Sequence, residues 1–347
     1  MSGSGWRADP RAVRTFRYAL GATLAMAMAM GIDWQLSYLA PVLTINLLGS
    51  GKPRPNAKQV AGIVGALALA GLVGIVLSVV LLPYPVVFLL VDGLAVYLLY
   101  FAAARGAPPM GVALLVIGVT VIPVVALQAI EVSVAVAQGL VWGAIVALCV
   151  VWLVHALIPD PPAATAAAAK EESRAAAIPS RRAAAEWARM NTLVVYPLLC
   201  YFFFSGSTAV IVLVFVALLS VRTDAASGMR AGKALVVGNA MGGLAAVVMY
   251  ELLVMVPQFP FLLLLTLLGG LYFGGRTFSG RGKGPLWTMA FQTAILVVAS
   301  TTSLYGSADA KAVTRVVQIG IAVGYLVVAF QLVGHLQRLR APARAAA

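Results

Sequence analysis

Twelve apolar segments divide the chain into two similar sets of six, and this pattern restricts the fold more than any motif does. Hydrophobic residues make up 62% of the 347 residues and charged residues only 10%, whereas a soluble protein carries about 25% charged residues. Segments of roughly 17 to 25 apolar residues cross a bilayer as helices, because each backbone N–H then bonds within its own segment. The sequence therefore predicts an all-α, polytopic transmembrane helical bundle of about twelve helices.

The segment bounds follow from the apolar runs and from the proline, glycine and charged residues between them. Two of the segments, 36–49 and 207–221, are short, and whether they fully span is left open. The predicted helices are 15–31, 36–49, 59–82, 84–104, 109–128, 131–157, 187–204, 207–221, 233–256, 258–275, 285–303 and 310–336.

Landmark residues recur in the two halves at an offset close to 175 positions. Each half has an even number of predicted helices, so both halves would have the same orientation, as in transporters built from parallel repeats with a solute path at the repeat interface. We therefore predict a first six-helix repeat over 1–158, an Ala-rich cytoplasmic linker over 159–186 and a second repeat over 187–347. The landmark pairs are Lys58 and Lys233, Pro85 and Pro260, Arg105 and Arg276, Pro109 and Pro285, and His155 and His335.

The basic residues predict the orientation in the membrane. If the N-terminus is cytoplasmic, 22 of the 24 Lys and Arg residues lie on that side, and only Lys311 and Arg315 do not. This bias follows the positive-inside rule and places both termini and the linker in the cytoplasm of a bacterial inner membrane. The net charge of +13 then reflects topology and contact with anionic lipid. No nucleic-acid partner is expected, because the basic residues are scattered over short loops.

Two acidic residues inside predicted spans are candidates for proton coupling. Asp92 lies near the middle of its helix, where a carboxylate costs about 2.5–3.5 kcal/mol and requires a partner or a watery cavity. It could bind a proton, position a ligand or make a structural hydrogen bond between helices. Glu251 lies nearer the outer interface, where its side chain could reach the headgroup region without a role in transport.

The two short segments occupy corresponding positions in the two halves and could form a binding site from broken helices. Asp33, Trp34 and Tyr38 lie around the start of the first, Phe203 lies before the second, and Ser207 begins it. Aromatic and hydroxyl groups at a helix start suit an aromatic carboxylate, because helix N-termini attract anions. An interfacial aromatic belt explains the same residues equally well.

The sequence predicts no enzyme, no cofactor and no metal site. It contains neither a phosphate-binding Walker A motif nor the metalloprotease pattern HExxH. Cys149 and Cys200 both fall inside predicted helices, so they do not indicate a disulfide or a metal framework.

One stretch of the chain resembles a known family. The opening RTFRYALGATLAMAMAMGIDWQLSYLAPVLTINLL, followed by a basic loop and a Gly-rich third helix, resembles the fusaric acid resistance and aromatic acid exporter (FUSC-like) superfamily, in particular its compact bacterial branch. This resemblance implies an inner-membrane efflux component for aromatic or other organic acids, often beside a periplasmic adaptor of the membrane-fusion type. Larger members carry a soluble domain where this chain has only the linker.

The residues and the resemblance together predict a proton-coupled transporter that exports small organic anions. An organic-anion channel is an alternative, since plant malate channels resemble the same superfamily. A membrane scaffold that binds an adaptor without transporting anything is another. The sequence leaves homo-oligomerisation open.

Overall fold

The computed structural model describes residues 9–32, 34, 36–51, 53–107, 109–159, 180–205, 228–280, 282–302 and 328. Within these ranges the chain folds into ten α-helices and no strand. They are α1 (Pro10–Ile32), α2 (Leu39–Gly49), α3 (Ala57–Leu81), α4 (Pro85–Ala104), α5 (Pro109–Ala126), α6 (Ile130–Leu157), α7 (Arg181–Ser205), α8 (Gly228–Met255), α9 (Phe259–Thr277) and α10 (Gly284–Thr302).

The all-α class is confirmed for the described residues, and each of the ten helices corresponds to a predicted one. The other two predicted helices, 207–221 and 310–336, lie outside the described residues. The total of twelve helices and their grouping into two repeats therefore stay predictions.

Helix α1 begins five residues before its predicted start. Asp9 precedes the helix, and its carboxylate Oδ1 accepts a hydrogen bond of 2.9 Å from the backbone N–H of Arg11. Pro10 occupies the first helical position, where its fixed φ angle suits the helix and its missing N–H costs nothing. This Asp-Pro start extends the helix beyond the apolar run that the prediction followed.

Helix α7 begins inside the predicted linker. Ser180 Oγ accepts the backbone N–H of Ala183 at 3.3 Å, which is the bond of an N-cap residue. Arg181, Arg182 and the alanines that follow are good helix formers, so the helix starts at the cap rather than at the later apolar residues.

Six of the helices are long and apolar enough to cross a membrane, so the chain is a multi-pass membrane protein. Helix α2 has 11 residues and a length of about 16 Å, which confirms that the segment after α1 is short. The six spans are Pro10–Ile32, Ala57–Leu81, Pro85–Ala104, Ile130–Leu157, Val237–Met255 and Phe259–Thr277.

The chain forms two compact units, and each unit combines segments from both predicted halves. The predicted halves therefore do not correspond to the compact units, and the division at 159–186 stays a prediction about sequence repeats. Unit 1 comprises Met1–Ala61, Gly139–Ala176 and Val237–Val316, and unit 2 comprises Gly62–Gln138, Ala177–Val236 and Val317–Ala347.

In unit 1, helix α1 packs against α2 and α9, and α10 packs against the same two helices. The α1–α9 crossing is close because Gly270 has no side chain: a Cβ atom there would lie 2.6 Å from the Cα atom of Ala19. Tyr18 lies beside this crossing, fully buried, with its ring 5.6 Å from that of Phe291.

In unit 2, helix α4 packs against α5 and α7. The α4–α7 crossing also centres on a glycine, because a Cβ atom on Gly93 would lie 2.7 Å from the ring of Tyr196. Asp92 precedes this glycine, so the crossing carries the carboxylate into the interior of unit 2.

Candidate functional site

The buried face of α4 carries one acidic residue among aromatic and apolar ones. Phe88, Asp92, Val96 and Tyr100 follow one another at intervals of four, and each is fully buried. Residues four apart lie on one face of a helix. The opposite face carries exposed leucines, as expected of a surface in contact with lipid. These are Leu90, Leu94 and Leu98, each more than half exposed.

Tyr196 of α7 joins the two helices at this site. Its hydroxyl donates a hydrogen bond of 3.0 Å to the carbonyl oxygen of Leu89. The ring reaches the backbone of α4 because Gly93 leaves room for it. Tyr196 thus lies across the turn of α4 that presents Asp92.

Two further residues of α7 complete the site. Phe203 stacks on Phe88, with ring centroids 5.2 Å apart and an interplanar angle of 18°. Cys200 lies one helical turn after Tyr196 on α7. Tyr196, Cys200 and Phe203 follow the i, i+4, i+7 spacing of one helical face. We call these three residues, together with Phe88 and Asp92, the Asp92 site.

Both carboxylate oxygens of Asp92 are buried and accept no hydrogen bond from the residues that the structure describes. A carboxylate in such surroundings is costly as an anion, because it has given up water without gaining a compensating bond. Binding a proton, or a ligand with a donor group, lowers that cost. The site can therefore exchange protons or position a ligand.

The other predicted site residues are divided between the units. Phe203 joins Asp92 in unit 2, as described above. Trp34 and Tyr38 lie in unit 1, where Trp34 packs against the apolar core and Tyr38 precedes α2. Glu251 is an exposed residue of α8 in unit 1. Asp33 and Ser207 lie outside the described residues.

Sequence reasoning missed Tyr196, Cys200 and the role of Phe88. Tyr196 is 104 positions from Asp92, and no local pattern pairs residues so far apart. The sequence nevertheless contained two indications of this contact. Gly93 next to a buried acid permits the close approach of an aromatic ring, and Tyr196, Cys200 and Phe203 share one face of α7.

Comparison with known proteins gives one match. Residues 14–154 match the family described as "Protein of unknown function (DUF2955)". The matched region begins inside α1 and ends inside the last turn of α6, and it covers less than half of the chain. No curated protein and no solved structure matches the chain. The matched family carries no activity over to this protein.

Proposed function

We propose that the protein is a proton-coupled transporter of the bacterial inner membrane that exports small aromatic or other organic anions. The observation that carries this proposal is the buried carboxylate of Asp92, which has no hydrogen-bond donor among the described residues. Ionisable groups inside membrane spans are costly and commonly serve proton relays and substrate pathways.

The surroundings of Asp92 support a proton as the coupling ion. A metal ion requires several oxygen, nitrogen or sulfur ligands, whereas the Asp92 site has one carboxylate. A single carboxyl group, by contrast, is sufficient to bind one proton.

Aromatic side chains beside Asp92 support an aromatic substrate. Phe88 lies one helical turn before Asp92 on the buried face of α4, and Phe203 of α7 stacks on it. An aromatic ring packs favourably on such a pair. The resemblance of the opening segment to the aromatic acid exporters agrees with this substrate class. The same resemblance suggests a periplasmic adaptor as partner, and the bias of basic residues suggests cytoplasmic termini.

We also infer that the two halves arose by duplication. Residues 93 and 270 are 177 positions apart, as are residues 19 and 196, and these are the residues at the two glycine crossings. The crossing of α4 with α7 in unit 2 and the crossing of α9 with α1 in unit 1 would then be equivalent. The same offset relates buried positions 17, 18, 21, 22 and 25 of α1 to positions 194, 195, 198, 199 and 202 of α7.

The two equivalent crossings differ at the position of the acid. The counterpart of Asp92 at this offset is Gly269, and a Cβ atom there would lie 2.9 Å from the ring of Phe291. That ring packs with Phe273 and Tyr18, at centroid distances of 5.5 and 5.6 Å. The crossing in unit 1 is therefore filled by aromatic side chains, and the proposal assigns proton coupling to unit 2.

The experiment is uptake of a labelled aromatic carboxylate, such as benzoate, into everted membrane vesicles under an imposed pH gradient. We expect the wild type and Glu131→Gln to transport and Asp92→Asn to be inactive at equal expression. Glu131→Gln is the matched control, because it neutralises an exposed acid in another span and is not a coupling candidate. Transport by Asp92→Asn at the wild-type rate would contradict the assignment of Asp92.

Two other outcomes would contradict the proposed function and indicate a different one. Anion flux that follows the anion gradient and ignores the pH gradient would identify a channel. Absence of flux for a panel of organic anions, combined with retention of an adaptor protein on purification, would identify a scaffold.

A further inference from the structure

Two arginines near the start of α1 lie between two glycine turns of unit 1. Arg11 and Arg14 are three residues apart, so they share a face of the helix and are separated by about 4.5 Å along its axis. Arg14 Nη1 lies 3.8 Å from the position that a Cβ atom on Gly51 would take, and Arg11 Nη2 lies 3.3 Å from the equivalent position on Gly280. Both glycines have positive φ angles, 64° and 73°, so the turns present bare backbone to the arginines.

The neighbouring Arg17 differs from this pair. It is 3% exposed, and its Nη1 donates a hydrogen bond of 3.2 Å to the carbonyl oxygen of Ile158, just after the end of α6. A cation at the C-terminal end of a helix is a structural contact that needs no ligand. The contact with Ile158 therefore accounts for the buried position of Arg17 without a ligand.

Arg11 and Arg14 have no such contact. Within the described residues neither guanidinium forms a hydrogen bond or an ion pair, and the Nε atom of Arg14 is buried without an acceptor. The nearby Asp9 accepts the backbone N–H of Arg11 and pairs with neither side chain. Two like charges thus lie on one helical face with donor groups that none of the described residues accepts.

Arginines stack on aromatic rings at this end of unit 1, a combination typical of residues at the level of lipid headgroups. Arg276, in the last turn of α9 just before Gly280, lies 4.9 Å from the ring centroid of Tyr272 and 4.8 Å from that of Trp287. Arg54, which follows Gly51, lies 5.1 Å from the ring centroid of Trp152. Trp and Tyr concentrate at membrane interfaces, where cationic side chains stack on their faces.

We propose that Arg11 and Arg14 bind a phosphate group at this end of unit 1. Guanidinium groups bind the oxygens of phosphate in pairs through parallel N–H donors, and two of them on adjacent helical turns can hold one tetrahedral group. The headgroup of an anionic lipid supplies such a phosphate at this depth. Inorganic phosphate has the same chemistry and is the other source.

The test compares the thermal midpoint (Tm) of the purified protein in detergent after addition of phosphatidylglycerol, phosphatidylcholine or inorganic phosphate at constant ionic strength. We expect phosphatidylglycerol, and not phosphatidylcholine, to raise the Tm of the wild type by several degrees. The shift should disappear in Arg11→Gln/Arg14→Gln. It should persist in Lys58→Gln/Lys283→Gln, which removes the same charge from two exposed lysines of unit 1.

If only inorganic phosphate raises the Tm, and Arg11→Gln/Arg14→Gln loses that shift, the bound phosphate group comes from the free anion. This result would still support the site. The proposal is overturned if neither probe raises the Tm, or if the arginine variant keeps the full shift. If the double variant does not fold, the single variant Arg14→Gln is measured instead. Its Tm shift should be smaller than that of the wild type, and an unchanged shift would overturn the proposal.

Discussion

At the scale of single residues, Asp92 is expected to lower the stability of unit 2. Its side chain is fully buried and its oxygens accept no bond from the described residues, and such a group costs about 1–3 kcal/mol. Val96, one turn further along the same buried stripe, shows that this face of α4 accommodates an apolar side chain. A residue that lowers stability at a helix crossing is expected to serve function rather than folding.

Asp92→Leu should therefore raise the free energy of unfolding by about 1–3 kcal/mol, because an apolar side chain of similar volume replaces the unsatisfied carboxyl group. The measurement is the Tm in detergent, with transport measured on the same preparation. We expect a more stable and inactive protein. A lower Tm would indicate that Asp92 makes a stabilising contact in the folded protein.

Tyr196→Phe tests the contact between α7 and α4 without changing the ring. Loss of the hydrogen bond to Leu89 should lower the free energy of unfolding by about 0.5–1.5 kcal/mol. Tyr201→Phe is the control, since Tyr201 lies on the same helix and is 61% exposed. Equal effects of the two substitutions on the Tm would show that the Tyr196 hydroxyl is not engaged with Leu89.

At the scale of helices, glycine determines which faces meet. Gly270 allows α9 to contact the backbone of α1, and Gly93 allows Tyr196 to lie on α4. Small residues of this kind permit close helix packing in membranes, where the hydrophobic effect does not drive helices together. The close approach at these two positions explains the packing of α1 with α9 and of α4 with α7.

Gly270→Ala should lower the free energy of unfolding by about 1–3 kcal/mol, because its Cβ atom would overlap with the backbone of Ala19. Gly65→Ala is the control, since nothing lies within 4 Å of a Cβ atom there. The control should be neutral or more stable by about 0.4–1 kcal/mol. Thermal unfolding of both variants gives the comparison, and a Gly270→Ala protein as stable as the control would refute the close crossing.

The bounds of the helices were largely predictable from the sequence, because apolar length and Pro or Gly breaks determine where a membrane helix ends. The starts of α1, α7 and α8 were not. Asp9 and Ser180 cap the first two of these helices among polar residues, where the apolar pattern gives no signal. Asp92 was predictable as an isolated acid in an apolar helix. Its neighbour Tyr196 was not, because that contact depends on which helices pack together.

At the scale of the whole molecule, each compact unit is assembled from segments before and after the linker region. In unit 1, helix α1 packs with α9, and in unit 2, helix α4 packs with α7. If the halves arose by duplication, these two pairs are equivalent. Each pair joins the first helix of one half to the fourth helix of the other half. The sequence offsets suggested that the halves are related, but they could not indicate that the first helix of each half packs against the fourth helix of the other half.

The most direct test of the central claim is to measure pH-driven net uptake and substrate exchange side by side, with the wild type and Asp92→Asn in proteoliposomes loaded with unlabelled substrate. If Asp92 is the coupling site, Asp92→Asn loses uptake driven by the pH gradient and keeps exchange of labelled for unlabelled substrate at equal pH. Uptake by Asp92→Asn that still responds to the pH gradient as the wild type does would contradict the account.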